Sequence, residues 1–242
     1  MKVVICGANG AMGKLLQEKF GNTVVGLVSA DGLNGVPRSF AELGDVQADF
    51  VVDFSHHTAA ADVAKYAAEK KCALVVGTTG HTEDEKAAVY AASKAIPVFY
   101  AGNMSLGIAV LCNLAKQTAQ SFPDADIEIV EIHHNRKVDA PSGTAKMLFE
   151  AIKEVRSKAK ANCGRTGEGK REKNEIGISS LRMGNVVGIH EVHITTATQQ
   201  ISLRHEAFDR GMFADGAVAA AKFLEGKPAG LYTMADLLEE TL

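Results

Sequence analysis

The richest concentration of reactive side chains is the run Glu131-Ile132-His133-His134-Asn135-Arg136-Lys137-Val138-Asp139-Ala140-Pro141-Ser142-Gly143-Thr144-Ala145. Histidines exchange protons near neutral pH, and Lys137 adds a positive charge and a second proton donor. If Ser142 or its neighbour caps a helix, the N–H groups of Gly143 and Thr144 face outward and suit an anion such as a carboxylate. Strand alternation puts Ile127, Ile129, Glu131 and His133 on one face and Glu128, Val130, Ile132 and His134 on the other. For both histidines to serve one ligand, the strand must end near His133 and turn, and Asn135 with Pro141-Ser142-Gly143 favours that. A metal cage of His133, His134 and His190 or His193 is the competing use. No ligand spacing supports it, and His190 and His193 face opposite sides of one strand, so no metal is expected.

A second set of residues suits a phosphate-bearing ligand. Gly7-Ala8-Asn9-Gly10-Ala11-Met12-Gly13 follows the first apolar run and opens the first helical one. Its glycines allow a tight turn and close backbone approach to a pyrophosphate, and the helix start favours negative charge. The spacing is GxxGxxG rather than the usual GxGxxG, so position along the chain carries the reading. Gly77-Thr78-Thr79-Gly80 and Ala101-Gly102-Asn103-Met104 end later strands in the same way, and ligands of open α/β sheets bind at those carboxyl ends. Arg165, Lys170, Arg171 and Lys173 fall in a polar stretch that reads as a solvated loop or a basic lid.

The elements that must hold these residues follow from hydrophobic patterning. Lys2–Cys6, Thr23–Val28, Ala48–Phe54, Ala73–Gly77 and Pro97–Tyr100 are short apolar, β-branched runs. The helical stretches Ala11–Phe20, Thr58–Glu69 and Glu83–Lys94 separate most of them, with Thr82 and Glu85 forming a capping box. Ser29–Val46 lacks periodicity and reads as a shortened crossover. Such alternation implies a Rossmann-like, doubly wound parallel sheet. After Tyr100 the pattern changes to a helix over Ser105–Ser121, a strand over Asp126–His133 and a helix from Ser142 to about Ser157. A polar loop over Lys158–Asn174 follows, then strands at Glu175–Arg182, Val186–Thr196 and Gln200–Ala207, and closing helices. Strands in succession predict a mixed sheet. The expected organisation is a doubly wound first domain and an α+β second domain with helices on one side of its sheet; patterning leaves open whether the last helices return to the first domain.

Composition narrows the function classes. The 242 residues are 46% apolar and 23% charged with a net charge of −3, which excludes whole-chain disorder and a nucleic-acid binder working by bulk charge. The chain has no tryptophan and 6% aromatics, which argues against a stacking platform for single strands. No apolar run approaches the length of a membrane span. The amino terminus lacks the pattern of a signal peptide. Cys6, Cys72, Cys112 and Cys163 form no close pair, so a reducing cytoplasm is the expected location.

The run from His133 to Ala145 resembles the signature of the bacterial dihydrodipicolinate reductases, also called 4-hydroxy-tetrahydrodipicolinate reductases. The resemblance extends over nearly the whole chain. It includes the GxxGxMG loop at Gly7–Gly13, the Gly-Thr-Thr-Gly loop at 77–80, the loop at Ala101–Met104 and the later segments Gly164–Gly167, Val187–His190 and Gly230–Met234. It implies hydride delivery from NADH or NADPH to a cyclic, unsaturated imine dicarboxylate in lysine and diaminopimelate biosynthesis, giving tetrahydrodipicolinate. It assigns proton transfer to His133 and Lys137, and substrate binding to His134, Ser142, Gly143 and Thr144. Cofactor binding falls to Gly7, Ala8, Asn9, Gly10, Ala11, Met12, Ser29, Gly77, Thr78, Thr79, Ala101, Gly102, Asn103 and Met104. It also implies a dinucleotide-binding domain of residues 1–103 plus about 208–242, a substrate-binding and oligomerisation domain of about 104–207, and a homotetramer joined through the sheets of the second. Two departures bear on the cofactor: Ala11 stands where a cation is frequent, and Ser29, with Asp31 two residues on, stands where an acid is frequent. Use of both cofactors, with NADH at least as good as NADPH, is expected. Another Rossmann-type amino-acid-pathway reductase and a non-catalytic dinucleotide sensor are the alternatives; neither accounts for the histidine-lysine loop.

Overall fold

The computed structural model describes residues 1–241, so Leu242, at the end of the expected first domain, lies outside the described residues. The chain forms two compact units, residues 1–106 with 211–242, and residues 107–210.

The first unit opens with β1 (Val3–Cys6), α1 (Ala11–Phe20), β2 (Val24–Val28), α2 (Phe40–Leu43), β3 (Phe50–Asp53), α3 (Ala60–Lys70), β4 (Ala73–Val76), α4 (Glu83–Ala92) and β5 (Pro97–Tyr100). Strands β1, β3 and β4 are buried throughout, the mark of a parallel sheet covered on both faces. Val3, Ile5 and Val52 pack with Leu16 and Phe20 on one face, and Val4, Val51 and Leu74 with Val63 and Ala64 on the other. Thr82 and Glu85 form the expected reciprocal cap of α4. The crossover after β2 is short: α2 is a single four-residue turn, with the Ser39 side chain as its cap.

The second unit contains most of α5 (Leu106–Ser121), then β6 (Asp126–His133), α6 (Gly143–Lys153), β7 (Lys160–Cys163), β8 (Glu175–Arg182), β9 (Gly188–Thr195) and β10 (Gln200–Ala207). Its strands lie in the order β10-β9-β6-β8-β7. The β6–β8 and β7–β8 pairs are parallel, while β6–β9 and β9–β10 are antiparallel. The sheet is mixed, as the uninterrupted succession of strands predicts. Ile127, Ile129, Ile176, Val192 and Ile194 pack with Ile108, Leu111, Leu148 and Ile152 from the two helices. One expectation is corrected: the polar stretch 158–174 contains edge strand β7. Its sequence, Lys-Ala-Asn-Cys, has neither β-branched residues nor alternation to announce it. Arg171 is not left to solvent; it donates to the Asp126 carboxylate at 2.9 Å and to the Ile127 and Glu175 carbonyls at 2.8 and 2.7 Å.

The chain then returns to the first unit through α7 (Gly211–Phe223), β11 (Gly230–Tyr232) and α8 (Met234–Thr241). The first sheet therefore reads β11-β5-β4-β3-β1-β2, parallel throughout. Ala214, Ala217 and Ala221 of α7 are buried against the face that carries Leu16 and Phe20.

Candidate active site

Because the first sheet is parallel, the segments after β1 to β5 all leave from one edge. The turn after β1 needs its glycines. Gly7 has φ of +78°, and a Cβ there would lie 2.3 Å from the Phe54 carbonyl oxygen; one at Gly13 would lie 2.2 Å from the Gly7 oxygen. The Gly7 and Ala8 N–H groups donate to the Val28 carbonyl at 2.9 and 3.1 Å, tying this turn to the end of β2. Gly10 caps α1 with no side-chain bond, and the first turn carries no acid. The N–H groups of Ala11, Met12 and Gly13 thus have no intrahelical acceptor.

The other residues of this edge are grouped by short contacts. Asn9 donates through Nδ2 to Asp31 Oδ1 at 2.5 Å, and that bond, with the Leu33 N–H, holds the Asp31 carboxyl below its usual range. Ser29 is buried and donates its N–H to the Pro37 carbonyl at 2.9 Å. Arg38, which sequence alone does not place, lies over Gly32, where a Cβ would come within 2.4 Å of its Nε. Gly7, Ser29, Arg38 and His56 line one cavity of about 790 Å³. Gly77 lies against the Phe54 ring, Thr78 Oγ1 accepts from the Ser55 N–H at 2.9 Å, and Thr79 is exposed. Ala101 and Met104 are buried, Gly102 is exposed, and Asn103 Oδ1 accepts from the Ser105 N–H at 2.9 Å. Glycine turns, an uncapped helix start and this cavity fit a dinucleotide: they present backbone donors where a pyrophosphate needs them and leave room for a nucleoside.

The second unit builds a site of opposite character. Strand β6 ends at His133, and the Lys137 N–H closes a turn on the His134 carbonyl at 3.2 Å. His134 thus lies just past the strand end, at the start of the turn needed if both histidines are to serve one ligand. The His134 Nδ1 is buried without a protein partner, and burial first, then the charges of Arg136, His133, Arg210 and Lys137, hold its imidazole below the usual value. Lys137 Nζ pairs with Asp139 Oδ1 at 2.8 Å. Ser142 caps α6 by accepting from the Ala145 N–H at 3.2 Å, and no acid stands in that first turn. Gly143 is exposed, and a Cβ on it would meet nothing within 4 Å. This helix start therefore opens outward, and Thr144 is the next residue of the same turn.

Three residues beyond those expected bind this loop together. The buried Glu131 accepts from His133 Nδ1 at 2.5 Å, from the Ser142 N–H at 3.2 Å and from both terminal nitrogens of Arg182 at 2.9 and 2.7 Å. Burial works against its charge, but bonds from Arg182, Ser180 and His133 outweigh it and hold the carboxyl down to about 2. His190 Nε2 lies 3.2 Å from Ser142 Oγ, and the ring meets His133 edge-on at 5.1 Å. Burial, then the neighbouring His133, lowers His190 to about 4. Glu131 is detectable in the sequence as an acid on the His133 face. Arg182 and His190 lie far along the chain and carry no local signal. The described residues contain no cluster able to hold a metal.

Comparison with known proteins matches both units. A family model described as "Dihydrodipicolinate reductase, N-terminus" matches residues 1–104, and one described as "Dihydrodipicolinate reductase, C-terminus" matches residues 107–238. The 4-hydroxy-tetrahydrodipicolinate reductase of Caldanaerobacter subterraneus is 43% identical over 99% of each chain. The corresponding protein of Alkaliphilus oremlandii is 42% identical over 98% of each. Among solved structures, a dipicolinate-bound dihydrodipicolinate reductase from Paenisporosarcina sp. TG-14 aligns with a TM-score of 0.78 and 22% identity, covering 96% of this chain and 97% of that one. At that identity the structural likeness is one of fold.

Proposed function

The chain belongs to the dihydrodipicolinate reductase family, and we propose that it reduces 4-hydroxy-tetrahydrodipicolinate to tetrahydrodipicolinate in lysine and diaminopimelate biosynthesis. The observation that carries this reading is the loop from His133 to Thr144, in which a buried carboxylate holds both the imidazole and the start of α6. A bound nicotinamide dinucleotide supplies the hydride. Hydride arrival at the unsaturated imine leaves negative charge on the ring nitrogen, and His133 and Lys137 are the proton donors at hand. The Gly143 and Thr144 N–H groups and the His134 ring bind substrate carboxylate. Loss of the ring hydroxyl as water comes first and creates that unsaturated imine, so hydride and one proton then complete the atom balance.

The loops at 7–12, 77–79 and 101–104, with Ser29, hold the dinucleotide. Both NADH and NADPH serve, with NADH at least as good: Asp31 offers an acceptor for ribose hydroxyls, while Arg38 is the cation available to a ribose phosphate. The enzyme works in the cytoplasm as a homotetramer. The face of the second sheet away from its helices supports that assembly, since Val130, Ile132 and Ile189 are only half-buried there and Leu181 is 41% exposed. No described helix is long and apolar enough to cross a membrane. The deciding experiment mixes purified protein with substrate generated by the preceding synthase and follows nicotinamide absorbance. Oxidation of NADH that requires the synthase product, and competitive inhibition by pyridine-2,6-dicarboxylate, are the expected results. Absence of oxidation with either cofactor overturns the assignment.

A further inference from the structure

His133 is held from one side and cleared on the other. Its Nδ1 lies 2.5 Å from Glu131 Oε2. An ionised carboxylate only accepts hydrogen bonds, so Nδ1 carries the proton and, in the neutral ring, Nε2 carries the lone pair. On the far side of the ring is Gly188, where a Cβ would lie 3.2 Å from Nε2 and 3.7 Å from His190 Cε1. Any larger residue on that strand would crowd the reactive nitrogen. The other carboxylate oxygen, Oε1, accepts the N–H of Ser142, the cap residue of α6. Arg182 spans both oxygens and donates further to the Leu181 and Asp139 carbonyls at 2.7 and 2.6 Å. One carboxylate thereby joins the imidazole, the start of α6 and the chain beside Lys137.

We propose that Glu131, clamped by Arg182, is the positioning residue of this site: it sets the His133 tautomer and fixes the ring relative to the start of α6, while Gly188 keeps Nε2 open. The proposal rests on the reading of His133 as the proton-transfer group. A carboxylate behind an imidazole is an effective device because orientation and tautomer are set before the substrate arrives. Here the same group also anchors the cap residue of the expected anion site, so proton donor and carboxylate receptor move as one body. Lys137, Asp139, His134 and His190 are the other titratable groups near this loop, with His205 beyond His190. Among the described residues, Glu131 is the titratable group hydrogen-bonded to the His133 ring nitrogen, at 2.5 Å.

The test begins with wild-type protein and needs no mutation. Nitrogen-15 NMR of the histidine rings should show neutral His133 protonated on Nδ1. An Nε2–H tautomer would overturn the proposal while leaving the proton-transfer role of His133 intact. Glu131→Gln should then lower kcat by about 10–100-fold, weaken pyridine-2,6-dicarboxylate, leave the KM for cofactor within about twofold and broaden the tautomer distribution. Arg182→Lys, which keeps the charge but loses the two-pronged grip, should lose less activity and serves if Glu131→Gln does not fold. Gly188→Ala should lower kcat with the Nδ1–H tautomer preserved. A folded Glu131→Gln enzyme with wild-type kcat and tautomer would reduce Glu131 to a packing residue. If instead His133→Ala retains full turnover while the wild-type tautomer is as stated, the proton-transfer reading fails and the geometry stands.

Discussion

Asp53 and Glu131 are both buried carboxylates on central strands, one in each unit, and their titrations are shifted in opposite directions. Asp53 is 1% exposed, and its partners are neutral: it accepts from the Ser55 hydroxyl at 2.5 Å and the Ser55 N–H at 3.2 Å, with Thr78 adjoining. Glu131 is equally buried but grips a guanidinium with both oxygens. Burial pushes both toward the neutral acid. It prevails at Asp53, whose carboxyl lies above its usual value, and is overcome at Glu131. The supply of a charged donor, not depth, decides the direction of the shift. The difference follows what each region does. The turn after β1 presents backbone N–H groups and small residues, the donors that the proposed dinucleotide needs, and Asp31 beside it is tied to Asn9 at 2.5 Å. On the proposed reading, the loop of the second unit holds a proton-transfer group in one orientation, and the anion behind it serves that end.

Replacing His133 or Lys137 by alanine should produce the largest effect, lowering kcat by roughly 10²–10⁴. Cofactor affinity, measured by fluorescence titration of NADH, should barely change, because both residues belong to the second unit. A double variant that keeps most of its turnover would remove the contrast between the two regions.

The two carboxylates can be set against each other directly. Glu131→Gln should cost about 3–5 kcal/mol in denaturant unfolding, since it leaves Arg182 without its counter-charge. Asp53→Asn should be within about 1 kcal/mol of wild type at neutral pH or more stable, because burial already disfavours its charge and the amide oxygen can still accept from Ser55. Equal losses at the two positions would mean that charge supply does not distinguish them.

Acidification sharpens the same comparison. His190 lies near 4 in the folded state, below its usual value of 6.5, and Glu131 lies near 2, below its usual 4.5. In both windows the unfolded chain binds more protons, so stability is full above pH ~6.5 and falls as pH drops through 4 and then toward 2. Asp53 acts in the opposite sense, because its folded value is raised: it favours the fold at low pH and loses that contribution as pH rises. Unfolding midpoints measured from pH 7 to 3 should therefore decline. His190→Asn should flatten the upper part of that decline, and an unchanged slope would remove His190 from the account.

The smallest effect concerns the nucleotide edge. Arg38→Ala should reduce kcat/KM for NADPH by about tenfold, some 1.4 kcal/mol, and leave NADH nearly unchanged. A wild-type preference for NADPH above about tenfold would show that Arg38 outweighs Asp31 at this edge. Equal loss with both cofactors would place Arg38 on the shared part of the dinucleotide.

What could be read along the chain is what local rules encode. Apolar runs of four or five residues alternating with helical periods announce the parallel sheet, and the uninterrupted strands from Glu175 to Ala207 announce the mixed one. The cap at Ser142 and the end of β6 at His133 depend on neighbours in sequence, so residue type and spacing specify them. The missed pieces are those whose reason lies elsewhere in the fold. Strand β7 exists because β8 offers it an edge, and β11 because β5 does. Arg182 reaches Glu131 across 51 positions, His190 reaches Ser142 across 48, and the place of Arg38 follows from its packing over Gly32. Chemistry-bearing residue types and the backbone turns that present them are local properties of a sequence. The partner that keeps a buried charge ionised is chosen by strand register, and register is settled only when the whole sheet forms.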